Sequence, residues 1–502
     1  MSSAPSRRSI LASAAGLAAT TAVPGAGRSA PVTKPAGAAS LDPEALRADA
    51  RIVRQAYRAM HPGLYRYNSP ARMEARFAAL EHQMASASTR QAAFLALTRL
   101  TAAVRCGHSY PSPYNMSDAA VTSMFDGPDR LPFLFDWIQG EMVATARSPV
   151  APIDRGDRIV RINGIPTRTM LKCLIPLARA DGSNDAKRIA NMAVLSEDRF
   201  PAFDVYRPLL WPDRGPEVHL DIARQGASDR PLVAPLLTRQ QPRDLRSLQD
   251  EAASPWSFEL GKDGVGLLTM PNWALYDSDF PWEAWLDGVM DQLVEAGAPG
   301  LIIDLRDNEG GLDCGNAILA RLIQRDLTLP AYDRYTRYRT APKALEPFLK
   351  TWDRSFLDWD SAARGPDERG LYRLVRYDDT PDGDLVTPKG PRFPGKVAVL
   401  VGAQNSSATF QFALAVKSAG LGTLIGQTTG GNLRGINGGA FFFLQLPGSG
   451  LEIDLPLIAT LPRTPQPDAG LAPDMAVTRN ALALAEGRDL ELEAARDWMT
   501  RT

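Results

Sequence analysis

The sequence predicts an α/β protein in three successive parts: an amino-terminal helical region, a β-rich module, and an α/β core around a largely parallel sheet. Three observations predict it. Ala45, Leu46, Ala48, Ile52, Val53, Ala56, Tyr57 and Met60 recur near helical spacing, and the helical pattern continues to about residue 105. Short strands and turns follow from about 131 to 237. After a polar, charged stretch at 241–254, buried strands alternate with helices, which is the pattern of a parallel sheet covered by its crossovers.

Each element can be justified in order. Ser6-Arg7-Arg8-Ser9-Ile10-Leu11 and the small apolar run to Val23 read as a twin-arginine export signal over 1–30, which predicts a periplasmic or secreted protein. Residues 31–40 read as a linker. In the helical region, 41–128, His61-Pro62-Gly63 stops the first helix, a second starts near Pro70, and a third covers 90–103. In the β-rich module, 129–240, Gly156 to Ile162 reads as a strand and Asn163-Gly164 as its tight turn. In the core, 254–502, strands are expected at 264–270, 301–305, 396–401 and 424–426, with helices at 282–296, 315–324 and 407–419. Loops beyond the carboxyl ends of such strands build the site.

Composition excludes several functions. Hydrophobic residues make up 44% and charged residues 23% of the 502, so the chain is not disordered. With 56 Lys and Arg against 57 Asp and Glu, there is no global basic field to gather nucleic acid or anionic lipid. The three cysteines and four histidines are scattered without metal-ligand spacing, so neither a metal nor a cofactor is expected. Past the leader, no run of about 18 apolar residues predicts a membrane span.

Three segments carry the residue types of a catalytic site. In Val401-Gly402-Ala403-Gln404-Asn405-Ser406-Ser407-Ala408, a buried strand runs through a polar turn into a helix. A helix start offers unpaired N–H groups that stabilise an oxyanion, although a plain Ser N-cap fits the same residues. In Asp304-Leu305-Arg306-Asp307-Asn308-Glu309-Gly310-Gly311, a strand ends in a turn whose paired glycines let backbone approach a substrate closely; an ordinary turn before a helix fits equally. In Cys106-Gly107-His108-Ser109-Tyr110, the histidine suits a general base, and a surface histidine is the other reading.

Together these segments, in this order, resemble the C-terminal-processing and tricorn-type serine peptidases. Asp304 to Gly311 matches the family's DLRxNxGG turn, and Ser407-Ala408-Thr409 its nucleophile segment. Ile425-Gly426-Gln427-Thr428-Thr429-Gly430-Gly431 matches iGxxTxG, and Gly470-Leu471-Ala472-Pro473-Asp474 matches GxxPD. Cys106-Gly107-His108-Ser109 matches DGHT with Cys in place of Asp, and Gly156-Asp157 to Asn163-Gly164 is similar to the GDxIxxING of PDZ modules. No GLGF loop precedes it, so the resemblance implies a degenerate PDZ-like module ahead of a ClpP/crotonase-like peptidase core.

The processing branch takes its base from a Lys that aligns with Asn432, so that Lys is missing. Lys417 is ten residues past Ser407 on the expected helix, about 15 Å along its axis, and is too far to serve. The resemblance therefore implies the Ser–His branch: Ser407 as nucleophile, His108 as base, and N–H groups of Ala408 with Gly310 or Gly311 as oxyanion donors. The branch's late Glu is absent, and Asp468 is the nearest acid to orient His108. The implied function is an exported peptidase acting on peptides or unfolded proteins, with oligomeric state left open. The alternatives are an inactive relative that binds an apolar ligand or peptide, and a scaffold that binds peptide termini through the PDZ-like part.

Overall fold

The computed structural model describes residues 41–223, 229–244, 254–276, 278–377 and 385–501. The export motif, the linker and most of the 241–254 boundary lie outside them. The described chain opens with α1 (Pro43–Met60), α2 (Pro70–Ala85) and α3 (Arg90–Val104). Each is started by a side-chain cap on free N–H groups, from Asp42, Ser69 and Thr89 respectively. Beyond α3 the left-handed Arg105, φ 62°, turns the chain toward the short strand β1 (Tyr110–Pro111).

The β-rich part forms an antiparallel sheet from β2 (Phe135–Ile138), β3 (Glu141–Ala144), β4 (Arg158–Ile162), β5 (Glu217–Ala223) and β6 (Arg230–Pro235), in that spatial order. Asn163 and Gly164 both adopt positive φ in the turn after β4, as their types predict. A short helix, α4 (Asp185–Ala190), lies in the connection from β4 to β5. The edge of β2 is partly closed by the chain itself: Phe135 and Val194 exchange N–H···O bonds of 2.8 and 2.9 Å. A peptide strand therefore cannot add at that position without displacing residue 194.

The core sheet contains β7 (Ser257–Leu260), β8 (Gly266–Thr269), β9 (Gly300–Asp304), β11 (Lys396–Val401), β12 (Thr423–Gly426) and β15 (Met475–Ala476). Its order is β15-β12-β11-β9-β8-β7, parallel except for the β7–β8 pair. Helices α5 (Trp282–Glu295), α6 (Gly315–Leu322) and α7 (Ser407–Ser418) connect its strands. This is the expected parallel sheet.

A second sheet was not anticipated. It is built on the long antiparallel pair β13 (Ile436–Leu446) and β14 (Leu451–Pro462), with β10 (Tyr332–Thr336) beside β14. Gly438-Gly439 and Pro456 interrupt the pattern that would have marked these strands in the sequence. β1 joins the same sheet, with Tyr110 opposite Asp454 and Pro111 opposite Ile453. The β13–β14 turn is tied to α1 by the buried Asp49, which accepts from the N–H groups of Gly448 and Ser449 at 2.9 and 2.7 Å.

Burial follows this layout. One continuous apolar core joins α1–α3, the β-rich part and the antiparallel sheet, through residues such as Tyr57, Phe94, Phe135, Phe203, Phe442 and Leu455. A second core fills the space between the parallel sheet and its helices, including Leu268, Ile303, Val399, Phe410 and Phe412. Each large apolar side chain so buried stabilises the fold by about 1.5–3 kcal/mol. Among the described residues no helix is long and apolar enough to cross a membrane.

Candidate active site

β9 and β11 are parallel neighbours, with Asp304 opposite Leu400, so the turns at their carboxyl ends meet. Two fully buried asparagines lock those turns together. Asn405 Nδ2 donates to the carbonyls of Leu305 and Asn308, while its Oδ1 accepts from Gly402 N–H at 2.8 Å. Asn308 Nδ2 donates to the Met270 carbonyl at 2.7 Å, and the Asn308 carbonyl also accepts from Thr409 Oγ1 at 3.0 Å.

Ser407 opens α7 with φ 51°, a left-handed conformation that is uncommon outside glycine and costs backbone energy. The plain N-cap reading does not hold. Ser406 occupies the N-cap without a side-chain cap bond, and its hydroxyl donates to the Glu309 carbonyl at 3.1 Å. Among the hydrogen bonds of the described residues, none uses the Ser407 hydroxyl.

The glycine turn is pressed against this residue. Gly310 and Gly311 have φ 105° and 142°. A Cβ on Gly310 would lie 2.7 Å from the Ser406 carbonyl oxygen, 2.9 Å from Ala408 N and 3.0 Å from Ser407 Cβ. Gly310 N–H already donates to Asn308 Oδ1 at 2.8 Å. Of the two glycines expected to supply an oxyanion donor, Gly311 is thus the one whose N–H is uncommitted. Gly310 serves through its bare backbone.

His108 reaches the site from the other sheet. Its ring packs on the bulge of β13 between Gly438 and Phe441, 6.0 Å from the Phe441 ring centroid. A Cβ on Gly438 would lie 3.7 Å from His108 Nδ1. Burial lowers the His108 pKa from the ordinary 6.5; Asp181 and Glu309 oppose that shift, while Arg179 and Lys187 reinforce it. The imidazole is therefore neutral near pH 7, as a base must be. Its Nδ1 is buried without a protein partner, and no hydrogen bond joins His108 to Ser407 among the described residues. Cys106, in the place of the family's Asp, is buried, and burial pushes its thiol up to about 12.

The segment around α4 ties the two sides together. Asp181 Oδ1 accepts from Gly107 N–H at 3.0 Å, and Arg179 Nη1 donates to the Gly107 carbonyl at 2.9 Å. Arg179 Nη2 also donates to Glu309 at 3.3 Å, and its guanidinium lies 4.7 Å from the Tyr110 ring centroid. Lys187, only 3% exposed, bonds Glu309 as well and donates to Gln404 carbonyl and Oε1 at 3.0 and 2.9 Å. Burial alone would raise the Glu309 pKa, but Lys187 and Arg179 hold it down to about 2. Asn184 Nδ2 donates to the carbonyls of Thr429 and Gly431 at 2.9 and 2.7 Å.

Asp468 has a different place from the one expected. It accepts from Ser183 N–H at 2.9 Å and from Asn432 Nδ2 at 2.8 Å, and bonds neither nitrogen of His108. The acid seated against the Gly107-His108 backbone is Asp181. Asn432, standing where the family's Lys aligns, is fully buried and also donates to the Asp181 carbonyl at 3.1 Å. Lys417 binds Ala472 carbonyl and Asp474, each at 2.8 Å, and takes no part in the site. Sequence reasoning missed Arg179, Asp181 and Lys187. Their signal was the polar run 179–188, which is out of place in a β-rich module. Among the described residues no group of three His, Cys, Asp or Glu is placed to hold a metal.

Residues 264–476 match the family model of peptidase family S41, a span that contains Ser407, Gly310 and Gly311. These residues form a serine-peptidase core of the S41 type. No curated protein matches it significantly. Among solved structures, mature CPAF complexed with lactacystin is 14% identical with a TM-score of 0.61, covering 91% of this chain and 98% of that one. A CPAF s499a mutant aligns at 14% identity and TM-score 0.56, covering 91% and 96%. These establish a shared fold across nearly the whole chain, including the parts outside 264–476. The photosystem II D1 C-terminal processing protease is also similar, at 15% identity and TM-score 0.41, covering 92% and 97%. An S41 peptidase acts on peptide or protein substrates.

Proposed function

We propose that this protein is an exported peptidase that cleaves peptides or unfolded proteins through an acyl-enzyme, with Ser407 as nucleophile and His108 as base. The observation that carries it is the left-handed Ser407 at the first turn of α7, hydroxyl uncommitted, packed against the glycine turn. His108 takes the Ser407 proton as the oxygen attacks the substrate carbonyl. The N–H groups of Ala408 and Gly311 hold the tetrahedral oxyanion. Collapse expels the amine, which receives the proton from His108, and water then releases the acyl group by the same steps in reverse. Asp181 positions the His108 loop, and Asp468 with Asn432 positions Asp181. Export rests on the Arg7-Arg8 leader pattern.

A second reading, an inactive relative that binds an apolar ligand or peptide, is favoured by the unpartnered His108 Nδ1. One experiment separates them. Wild type, Ser407→Ala and His108→Ala are incubated with a fluorophosphonate probe and with unfolded casein. Labelling and cleavage in the wild type that vanish in Ser407→Ala and collapse in His108→Ala are expected. A folded wild type that neither labels nor cleaves would sink the peptidase reading. Export is checked by fractionation: the wild-type chain should reach the periplasm, and Arg7→Lys with Arg8→Lys should retain it inside.

A further inference from the structure

A cavity of about 660 Å³ opens beside the glycine turn, walled by all three parts of the chain. It shares Glu309 and Gln404 with the turns that carry the nucleophile, and Tyr110 with the strand that follows His108. It therefore begins within a few residues of both proposed reacting groups. We propose that this cavity receives a large apolar side chain, aromatic by preference, from the substrate residue flanking the scissile bond. The assignment rests on the peptidase reading above.

Two features set the chemistry of the occupant. First, the floor is apolar: Phe94, Val194, Phe200, Val205 and Tyr206 are buried beneath, with Tyr114 toward the opening. Aromatic walls favour an aromatic guest through both buried area and edge-to-face packing. Second, Arg179, Gln404, Asn191 and Tyr114 on the walls are committed to the protein. Arg179 is held by Glu309 and the Gly107 carbonyl. Gln404 donates to the Ala190 carbonyl and accepts from Lys187, and Asn191 donates to the Arg179 carbonyl. Tyr114 donates to Asp198. Asp198, Asp307 and Glu309 stand on the same walls as Arg179, so no surplus positive charge awaits a carboxylate. An acidic guest would shed its hydration without gaining a free counter-charge.

The test uses the full-length protein and a peptide library, with cleavage sites mapped by mass spectrometry. Phe, Tyr, Trp, Leu or Met should be enriched at one flanking position, with Asp and Glu disfavoured there by about tenfold or more in kcat/KM. Ala202→Trp, which fills the half-buried edge of the cavity, should lower kcat/KM for a Phe-bearing peptide relative to its Ala-bearing counterpart by about 10–100-fold. Phe200→Ala, which removes part of the aromatic floor, provides a second variant and should narrow the same ratio. A wild type that labels with fluorophosphonate and cleaves, but shows no flanking preference or a charged one, overturns the pocket assignment alone. A wild type that neither labels nor cleaves overturns the peptidase reading and this assignment with it.

Discussion

The nucleophile side and the base side of the site are held in different ways. Ser407 and the glycine turn are fixed by Asn308, Asn405 and Thr409, all within a few residues of two adjacent parallel strands. His108 is seated on a bulge of the antiparallel sheet, and its loop is gripped by Asp181 and Arg179 from a third part of the chain. The first side is local and motif-like. The second is assembled by tertiary contacts. Damage to the first should abolish chemistry without much loss of fold, whereas damage to the second should disturb geometry and stability together.

The largest expected effect is on the local side. Ser407→Ala should lower kcat by on the order of a millionfold while the melting temperature stays close to wild type. Gly310→Ala should follow, with a loss of about 10²–10³-fold, because its Cβ would enter the space of the Ser406 carbonyl and Ala408 N. Kinetics beside circular dichroism would check both. An active Gly310→Ala would show that the turn yields without cost.

The assembled side is tested by pH and by charge. Because burial depresses the His108 pKa below 6.5, kcat/KM should be level above pH 6.5 and fall only below it. An acid limb with its midpoint above 6.5 would mean that Asp181 and Glu309 outweigh burial. The same depression makes His108 stabilise the fold fully above about pH 6.5, its unfolded value, and lose that contribution as pH falls. Glu309, held near 2 against an ordinary 4.5, should stabilise fully above 4.5 and lose its contribution between there and 2. Glu309→Gln leaves Lys187 buried beside a neutral amide. A cost of about 2–3 kcal/mol is expected by urea denaturation, below the range for a fully enclosed pair because Glu309 is partly exposed. The smallest effect belongs to Asn432→Ala, which removes the link between Asp181 and Asp468. It should cost about 1–3 kcal/mol of stability while leaving most activity; a thousandfold loss would put Asn432 in the chemistry.

This contrast also explains what was legible in the sequence. The parallel sheet announced itself through buried strands such as 301–305 and 396–401, and Ser407, Gly310 and Gly311 followed from the turns those strands make. The left-handed φ of Ser407 was not legible, since a Ser after a Ser reads as an ordinary cap. His108 was visible only as a residue type. Its seat, the Gly438–Phe441 bulge, lay in a sheet hidden by glycines and a proline. The acid beside it is not legible from proximity in sequence: Asp468 matches only as a late acid, while Asp181 enters from the connection between two strands of another sheet.

The pairing of β1 with β14 has a consequence for the order of synthesis. Tyr110 leaves the ribosome 344 residues before Asp454, its partner on the strand that receives it. Until it emerges, the His108 arm has no sheet to join, and the proposed reacting pair belongs to two unconnected pieces of nascent chain. The proposed site can assemble only after β14 has been made and β1 has joined it.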